Sequence, residues 1–193
     1  EQDVEKILKK SLEKFGRIDI LVNNAIFNPG TSEAHASLDN FSLEIWNKFV
    51  DVNLTGLFLC SKVIGGWMAK NKGGVIVNVA STYGIVGADQ RIYGDSKINS
   101  SIAYAATKSG VLNITKWLAS YWSGKNVRVN TLSPGGVFNN QSPEFVKNYN
   151  YKTMVGRMAD KGEYTGALLF LISDASSYMN GSNLIIDGGW TAW

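Results

Sequence analysis

Val75-Ile76-Val77-Asn78-Val79-Ala80 is a short run, mostly β-branched, in which apolar residues do not alternate with polar ones, and Ser81 closes it. Such a stretch predicts a strand buried on both faces, the condition of a parallel sheet. Residues 18–25, 127–132 and 184–186 read the same way. Helical patterns separate them, so the chain reads as an α/β, doubly wound parallel sheet of the Rossmann-like kind. Ligands of such sheets collect at the carboxyl ends of the strands. Asn23, Ser81 and Pro134-Gly135 all fall at those ends, and three strand ends therefore point to one crevice.

The helices are legible from spacing and punctuation. Residues 1–15 carry Val4, Ile7, Leu8, Leu12 and Phe15 at helical intervals, and Gly16 ends them. Ser42 is an N-cap for one long helix reaching Met68, bent near Gly56 and stopped by Asn71-Lys72-Gly73-Gly74. A helix bearing Tyr104 and Lys108 runs to about Trp122, and another covers residues 163–172. Residues 137–161, with weak periodicity, are expected to form a mobile lobe of short helices.

Tyr104 and Lys108, four residues apart on a helix, share one face. A free phenol titrates near pH ~10 and exchanges protons poorly at neutrality. A cation beside it in a water-poor cleft would favour the phenolate and lower its pKa, which makes the pair a candidate acid or base.

Composition narrows the remaining choices. The 193 residues suit one domain, with 45% hydrophobic and 18% charged residues. A net charge of +3 with scattered Lys and Arg argues against nucleic acid. No apolar run approaches the ~20 residues of a membrane span, and no signal peptide opens the sequence, so no membrane partner is expected. Cys60 is the single cysteine and reads as a small core residue; a lone cysteine fits a reducing, cytoplasmic setting. A Ser-His-Asp hydrolase would need His35, the only histidine, to serve Ser81 without a nucleophile elbow. His35 reads as a loop histidine, and clustered metal ligands are lacking, so no metal is expected.

In order along the chain stand Asn23-Asn24-Ala25, Asp51-Val52-Asn53, Asn78-Val79-Ala80-Ser81, Tyr104-Ala105-Ala106-Thr107-Lys108, Ser133-Pro134-Gly135 and Asp187-Gly188-Gly189. This series resembles the ordered motifs of the short-chain dehydrogenases/reductases over nearly the whole chain. The resemblance implies an oxidoreductase that moves a hydride between NAD or NADP and a secondary alcohol or ketone, a small and polar, sugar-like molecule. It makes Tyr104 the proton donor or acceptor, Lys108 the holder of the nicotinamide ribose and tuner of Tyr104, Ser81 the partner of the substrate oxygen, and Asn53 the holder of a relay water. Asn23, Ala25, Pro134, Gly135 and Asn139 would border the cofactor, with Asn23 tying neighbouring strands and Asp187-Gly188-Gly189 forming a turn. The resemblance further implies a homodimer or homotetramer built on the long helix and the Tyr104 helix. The alternatives are a non-catalytic regulator or scaffold of the same fold, and a nucleotide-sugar epimerase or dehydratase with bound NAD.

The pattern also departs from the family. The glycine-rich turn and first strands that would receive the pyrophosphate are not in the sequence, so the natural chain is expected to be longer at its N-terminus, with residues 1–193 forming the remainder of a single domain. Without those strands, residues 18–25 would offer an apolar edge. Ile26 replaces a usual glycine, and Asn139 stands where a threonine would meet the carboxamide. Residues 82–103 make a longer loop than the family norm and are expected to overhang the site, with Arg91 and Lys97 available to an acidic substrate and Asp95 and Asn99 to hydroxyls. With the ending Asp187-Gly188-Gly189-Trp190, this loop faintly resembles reductases of surface-sugar and flagellin modification.

Overall fold

Four parallel strands lie side by side in chain order: β1 (Ile20–Asn23), β2 (Gly74–Val79), β3 (Val127–Pro134) and β4 (Asn183–Ile186). The computed structural model describes residues 1–96 and 98–193. In register, Asn23 stands beside Asn78, Asn78 beside Thr131, and Thr131 beside Asn183. The helices are α1 (Gln2–Phe15), α2 (Leu43–Lys70), α3 (Ile102–Tyr121), α4 (Pro143–Lys152) and α5 (Thr165–Ile172).

Neighbouring strand residues point to opposite faces, and each face finds its own helices. Ile76 and Val129 pack with Ile64 and Met68 of α2 and Leu118 of α3. Val77 and Leu132 pack with Leu171 of α5 on the other side. The sheet is therefore doubly wound, as the apolar strands require.

β1 departs from the expected two-sided burial. It is four residues long and half exposed, with Ile20 at 43% and Val22 at 37% accessibility, because it is the edge strand. The apolar edge anticipated from the sequence is present. β2 and β4 each begin one residue earlier than expected, and β3 continues to Pro134.

A buried seam of polar side chains crosses the sheet. Asn23 Nδ2 donates to Asn78 Oδ1 at 2.8 Å and to Ser61 Oγ on α2 at 3.2 Å. Asn78 Nδ2 in turn donates to Thr115 Oγ1 of α3 at 2.9 Å, and the Thr131 hydroxyl meets the same oxygen at 2.8 Å. Each group is paired, as burial demands.

The caps sit where the sequence placed them. Gly16 closes α1 with φ 73°, and Ser42 Oγ accepts from Ile45 N at 3.2 Å to open α2. α2 runs unbroken, widened to i→i+5 geometry at Asp51–Gly56 and Ser61–Gly65. Among the described residues it is the one helix long and apolar enough to cross a membrane by length and composition. That corrects the expectation that nothing approaches such a length; scattered Asp51, Asn53, Ser61 and Lys62 had hidden it. Here α2 flanks the sheet, its Asn53 and Ser61 buried within the fold. Cys60 is partly buried, not in the core. The expected lobe of short helices at residues 137–161 is one helix, α4, opened by Ser142 and Pro143 at its first turn.

Candidate active site

Ser81 follows the end of β2 in extended backbone, and its Oγ accepts from Tyr83 N at 3.2 Å to start the turn Thr82–Gly84. That turn lies flat against α3: a Cβ on Gly84 would stand 2.6 Å from the Lys108 carbonyl oxygen. Ser101 caps α3 by accepting from Tyr104 N, which fixes Tyr104 in the first turn. Ser81 and Tyr104 thereby face one cavity of about 280 Å³.

The neighbouring Ser81 hydroxyl favours the Tyr104 phenolate, yet burial outweighs this and pushes its pKa up. This corrects the expected lowering. Lys108 Nζ lies 5.8 Å from the centre of the Tyr104 ring and donates to the Val79 carbonyl at 2.6 Å. Burial in turn brings Lys108 down to about 8, because an ammonium loses hydration there. Among the described residues Val79 O is its single acceptor, so two of its three donors remain for a ligand.

Asn53 is buried one layer behind. Its Oδ1 accepts from Phe27 N at 2.7 Å, and its Nδ2 donates to Thr107 Oγ1 at 3.3 Å and to Phe27 O at 3.4 Å. The amide thus joins the chain beyond β1 to the residue beside Lys108. Asn23 ties strands together as anticipated.

Other expected neighbours are placed differently. Ala25 and Ile26 are exposed beyond β1. Pro134 and Gly135 line the cavity, but the missing Cβ of Gly135 makes room for the Asp187 backbone, 2.9 Å from where that carbon would be, and not only for a ligand. Asn139 is exposed on a bend outside the cavity, where its N–H donates to Gln141 Oε1, and Gln141 is the residue that lines the wall. Asp187 accepts from Gly189 N and Thr191 N, making the expected turn.

The loop 82–103 does roof the cavity, through Tyr83, Tyr93, Ser100 and Ser101. Arg91 and Asp95 point away and are exposed; Arg91 pairs with Asp89, which also holds Lys152 of α4 at 3.1 Å. Asn99 binds His35 through its main chain and, at 3.4 Å, through its side-chain Nδ2, and Lys97 lies outside the described residues. Sequence reasoning missed the aromatic wall of Tyr83 and Tyr149 and the buried Trp190 behind it: Tyr149 stacks on Trp190 at 4.5 Å, and Tyr83 meets both Trp190 and Tyr104 edge-on. Tyr149 Oη accepts the Gly136 N–H. It also missed His35 as a cavity residue.

Residues 1–191 match the family model described as Enoyl-(Acyl carrier protein) reductase. The chain is 38% identical over 183 residues to D-threitol dehydrogenase of Mycolicibacterium smegmatis, covering 92% of this chain and 65% of that one. It is similar in structure to an NAD+-bound short chain dehydrogenase from Leptospira borgpetersenii, with TM-score 0.88, 40% identity and coverage of 98% and 71%. A gluconate 5-dehydrogenase from Burkholderia cenocepacia, solved with NADP and tartrate, superposes with TM-score 0.86 at 29% identity, again covering 98% and 71%. The chain thus spans about two thirds of the length of these relatives.

Proposed function

Because the chain belongs to the short-chain dehydrogenase/reductase family, we propose that it interconverts a secondary alcohol and a ketone with NAD or NADP, on a small hydroxylated substrate. The observation that carries this is that Ser81 and Tyr104 face one crevice at the strand ends, with the Lys108 ammonium buried 5.8 Å from the centre of the Tyr104 ring. The D-threitol and gluconate dehydrogenases among its relatives support the substrate class.

The residues fit a nicotinamide cofactor. Lys108 keeps two ammonium donors for ribose hydroxyls, and the Pro134-Gly135-Gly136 backbone borders the cavity that Ser81 and Tyr104 face. When bound, the cofactor accepts or donates the hydride.

The chain's own groups handle the proton. Burial keeps the Tyr104 phenol neutral at physiological pH, the form that donates to a ketone oxygen as charge develops there. The Ser81 hydroxyl, which faces the same cavity, supplies a second donor to that substrate oxygen. In the oxidation direction Tyr104 must accept the alcohol proton, and the nearby Lys108 cation stabilises the phenolate that does so. Asn53 supports this set by fixing the helix position beside Lys108, both its amide hydrogens being engaged while its Oδ1 keeps one lone pair.

A homo-oligomeric state is part of the reading. An apolar groove of about 1150 Å³ runs between α2 and α3, with Phe58, Trp117 and Tyr121 exposed along it and Trp117 stacked on Tyr121. Exposed aromatics on that scale suit a contact between copies.

The test of the catalytic reading is Tyr104→Phe. Turnover of a secondary alcohol or ketone should fall by about 10²–10⁴-fold, the usual worth of a positioned acid or base, while cofactor binding and folding persist. Equal turnover by the variant would remove Tyr104 from the chemistry.

A further inference from the structure

The loop over the cavity is fastened to the opposite wall by His35. Its Nδ1 lies 2.9 Å from the Asn99 carbonyl oxygen, and Asn99 N donates back to His35 O at 3.1 Å. A carbonyl oxygen only accepts, so Nδ1 is the donor. In a neutral imidazole one nitrogen carries the hydrogen and the other a lone pair, which leaves Nε2 a bare acceptor. His35 is partly exposed and lines the cavity shared by Ser81 and Tyr104. Among the described residues Nε2 has no hydrogen-bond partner.

Several other polar groups of the wall already accept or donate within the protein, although among the described residues the Asn28 amide and the hydroxyl hydrogens of Ser101 and Tyr149 stay free. Ser101 Oγ receives Tyr104 N, and Tyr149 Oη receives Gly136 N. Both ends of the Gln141 amide are engaged, with Asn139 N and Val137 O. Ser81 and Tyr104 face the same cavity and are assigned to the reacting oxygen in the proposed function. His35 is left offering a lone pair with no accompanying donor, and such a group discriminates sharply: a substrate without a hydroxyl there buries the acceptor unpaired.

We infer that His35 Nε2 accepts a hydrogen bond from a second hydroxyl of the substrate, on a carbon other than the one that reacts between Ser81 and Tyr104. This deepens the proposed function, and rests on it: the substrate class is a diol or polyol, and His35 is the residue that selects it over a mono-ol.

Butane-2,3-diol and butan-2-ol differ by one hydroxyl and serve as the probes. With cofactor present, His35→Phe should lower kcat/KM for the diol about 10- to 100-fold and change that for butan-2-ol by less than about threefold. His35→Gln, whose carbonyl can reach the position of Nε2, should recover much of the diol rate. Equal losses on both substrates would make His35 only a tether of the loop, and no loss on either would mean no contact; both results overturn the inference.

A second measurement stands apart from turnover. His35 is the only histidine, so ¹⁵N-histidine labelling gives a single pair of ring signals. Nδ1 should be protonated and Nε2 bare, and the Nε2 signal should move with the diol and not with butan-2-ol. The opposite tautomer, or an Nε2 signal indifferent to the diol, overturns the inference. Should the unmodified enzyme oxidise neither alcohol and reduce neither ketone, it is the proposed function that fails, which is seen before any His35 variant is compared.

Discussion

Lys108 gives its short hydrogen bond to the Val79 carbonyl, at 2.6 Å, and not to the Tyr104 phenol whose ring centre lies 5.8 Å away. The ammonium is 4% exposed, with no carboxylate beside it among the described residues, and its pKa is depressed to about 8. Such a charge costs folding energy that function must justify.

Lys108→Met is therefore expected to stabilise the protein while abolishing turnover. Between about pH 8 and the unfolded lysine value of 10.5 the folded state holds fewer protons than the unfolded one, so stability rises with pH there and the full cost is present below 8. The variant should gain ~1–3 kcal/mol at pH 7, at about 1.4 kcal/mol per pKa unit, with the gain shrinking towards pH 10.5. Urea denaturation at several pH values measures this. A variant less stable than the parent at pH 7 would show that the Val79 hydrogen bond outweighs the burial cost.

The two reaction directions should respond differently to pH. Burial raises Tyr104, so the neutral phenol needed for ketone reduction persists through neutrality and reduction should be flat there. Oxidation needs the scarce phenolate, and its kcat should climb with near unit slope from neutrality upward. Above about pH 8 Lys108 loses its proton, and the KM for cofactor should rise in both directions. Superimposable profiles for oxidation and reduction would contradict the assignment.

Asp89 joins the cavity roof to α4, pairing with Arg91 at 2.8 Å and Lys152 at 3.1 Å. These cations hold its pKa well below the usual carboxylate range, Arg91 first. Asp89→Asn should loosen the roof, raising substrate KM several-fold while changing global stability by about 1 kcal/mol, since the Asp89 side chain is 15% exposed but its Arg91 partner is in solvent. Steady-state kinetics and thermal melts decide; a large drop in Tm with unchanged KM would make Asp89 a stability residue instead.

Gly65 lets α2 approach the end of α3. A Cβ there would stand 2.5 Å from Trp122 and 2.8 Å from Ile76 Cδ1, whereas one on Gly66 would meet open space. Gly65→Ala should cost ~1–3 kcal/mol through overpacking, and Gly66→Ala should stabilise by up to ~1 kcal/mol through helix propensity. Chemical denaturation of the pair tests this, and equal effects would refute it.

What could be read in advance followed from how locally each signal is written. Tyr104 and Lys108 are one helical turn apart, and Ser81 ends an apolar strand, so their convergence needed only strand order and handedness. The direction of the Tyr104 shift was misjudged because burial, which the sequence does not display, outweighs a cation aimed at another acceptor. His35 escaped notice because its partner Asn99 is brought to it by two loops that carry no periodic pattern. Gln141 took the wall position expected of Asn139 for the same reason: a bend after β3 decides which of two nearby amides turns inward. Tyr149 became a cavity wall, backed by the buried Trp190, only through the packing of α4 against the final turn.

The polar seam through Asn23, Asn78, Thr115 and Thr131 also acts as a ruler. Were β2 to slide by a single position, Val77 or Val79 would confront the Thr115 hydroxyl, and Asn78 would be turned onto the apolar face beneath Leu171. Hydrophobic contact alone tolerates such misalignment among so many valines and isoleucines; paired amides and hydroxyls do not. The seam thereby keeps Ser81 and Pro134 level with one another at the rim.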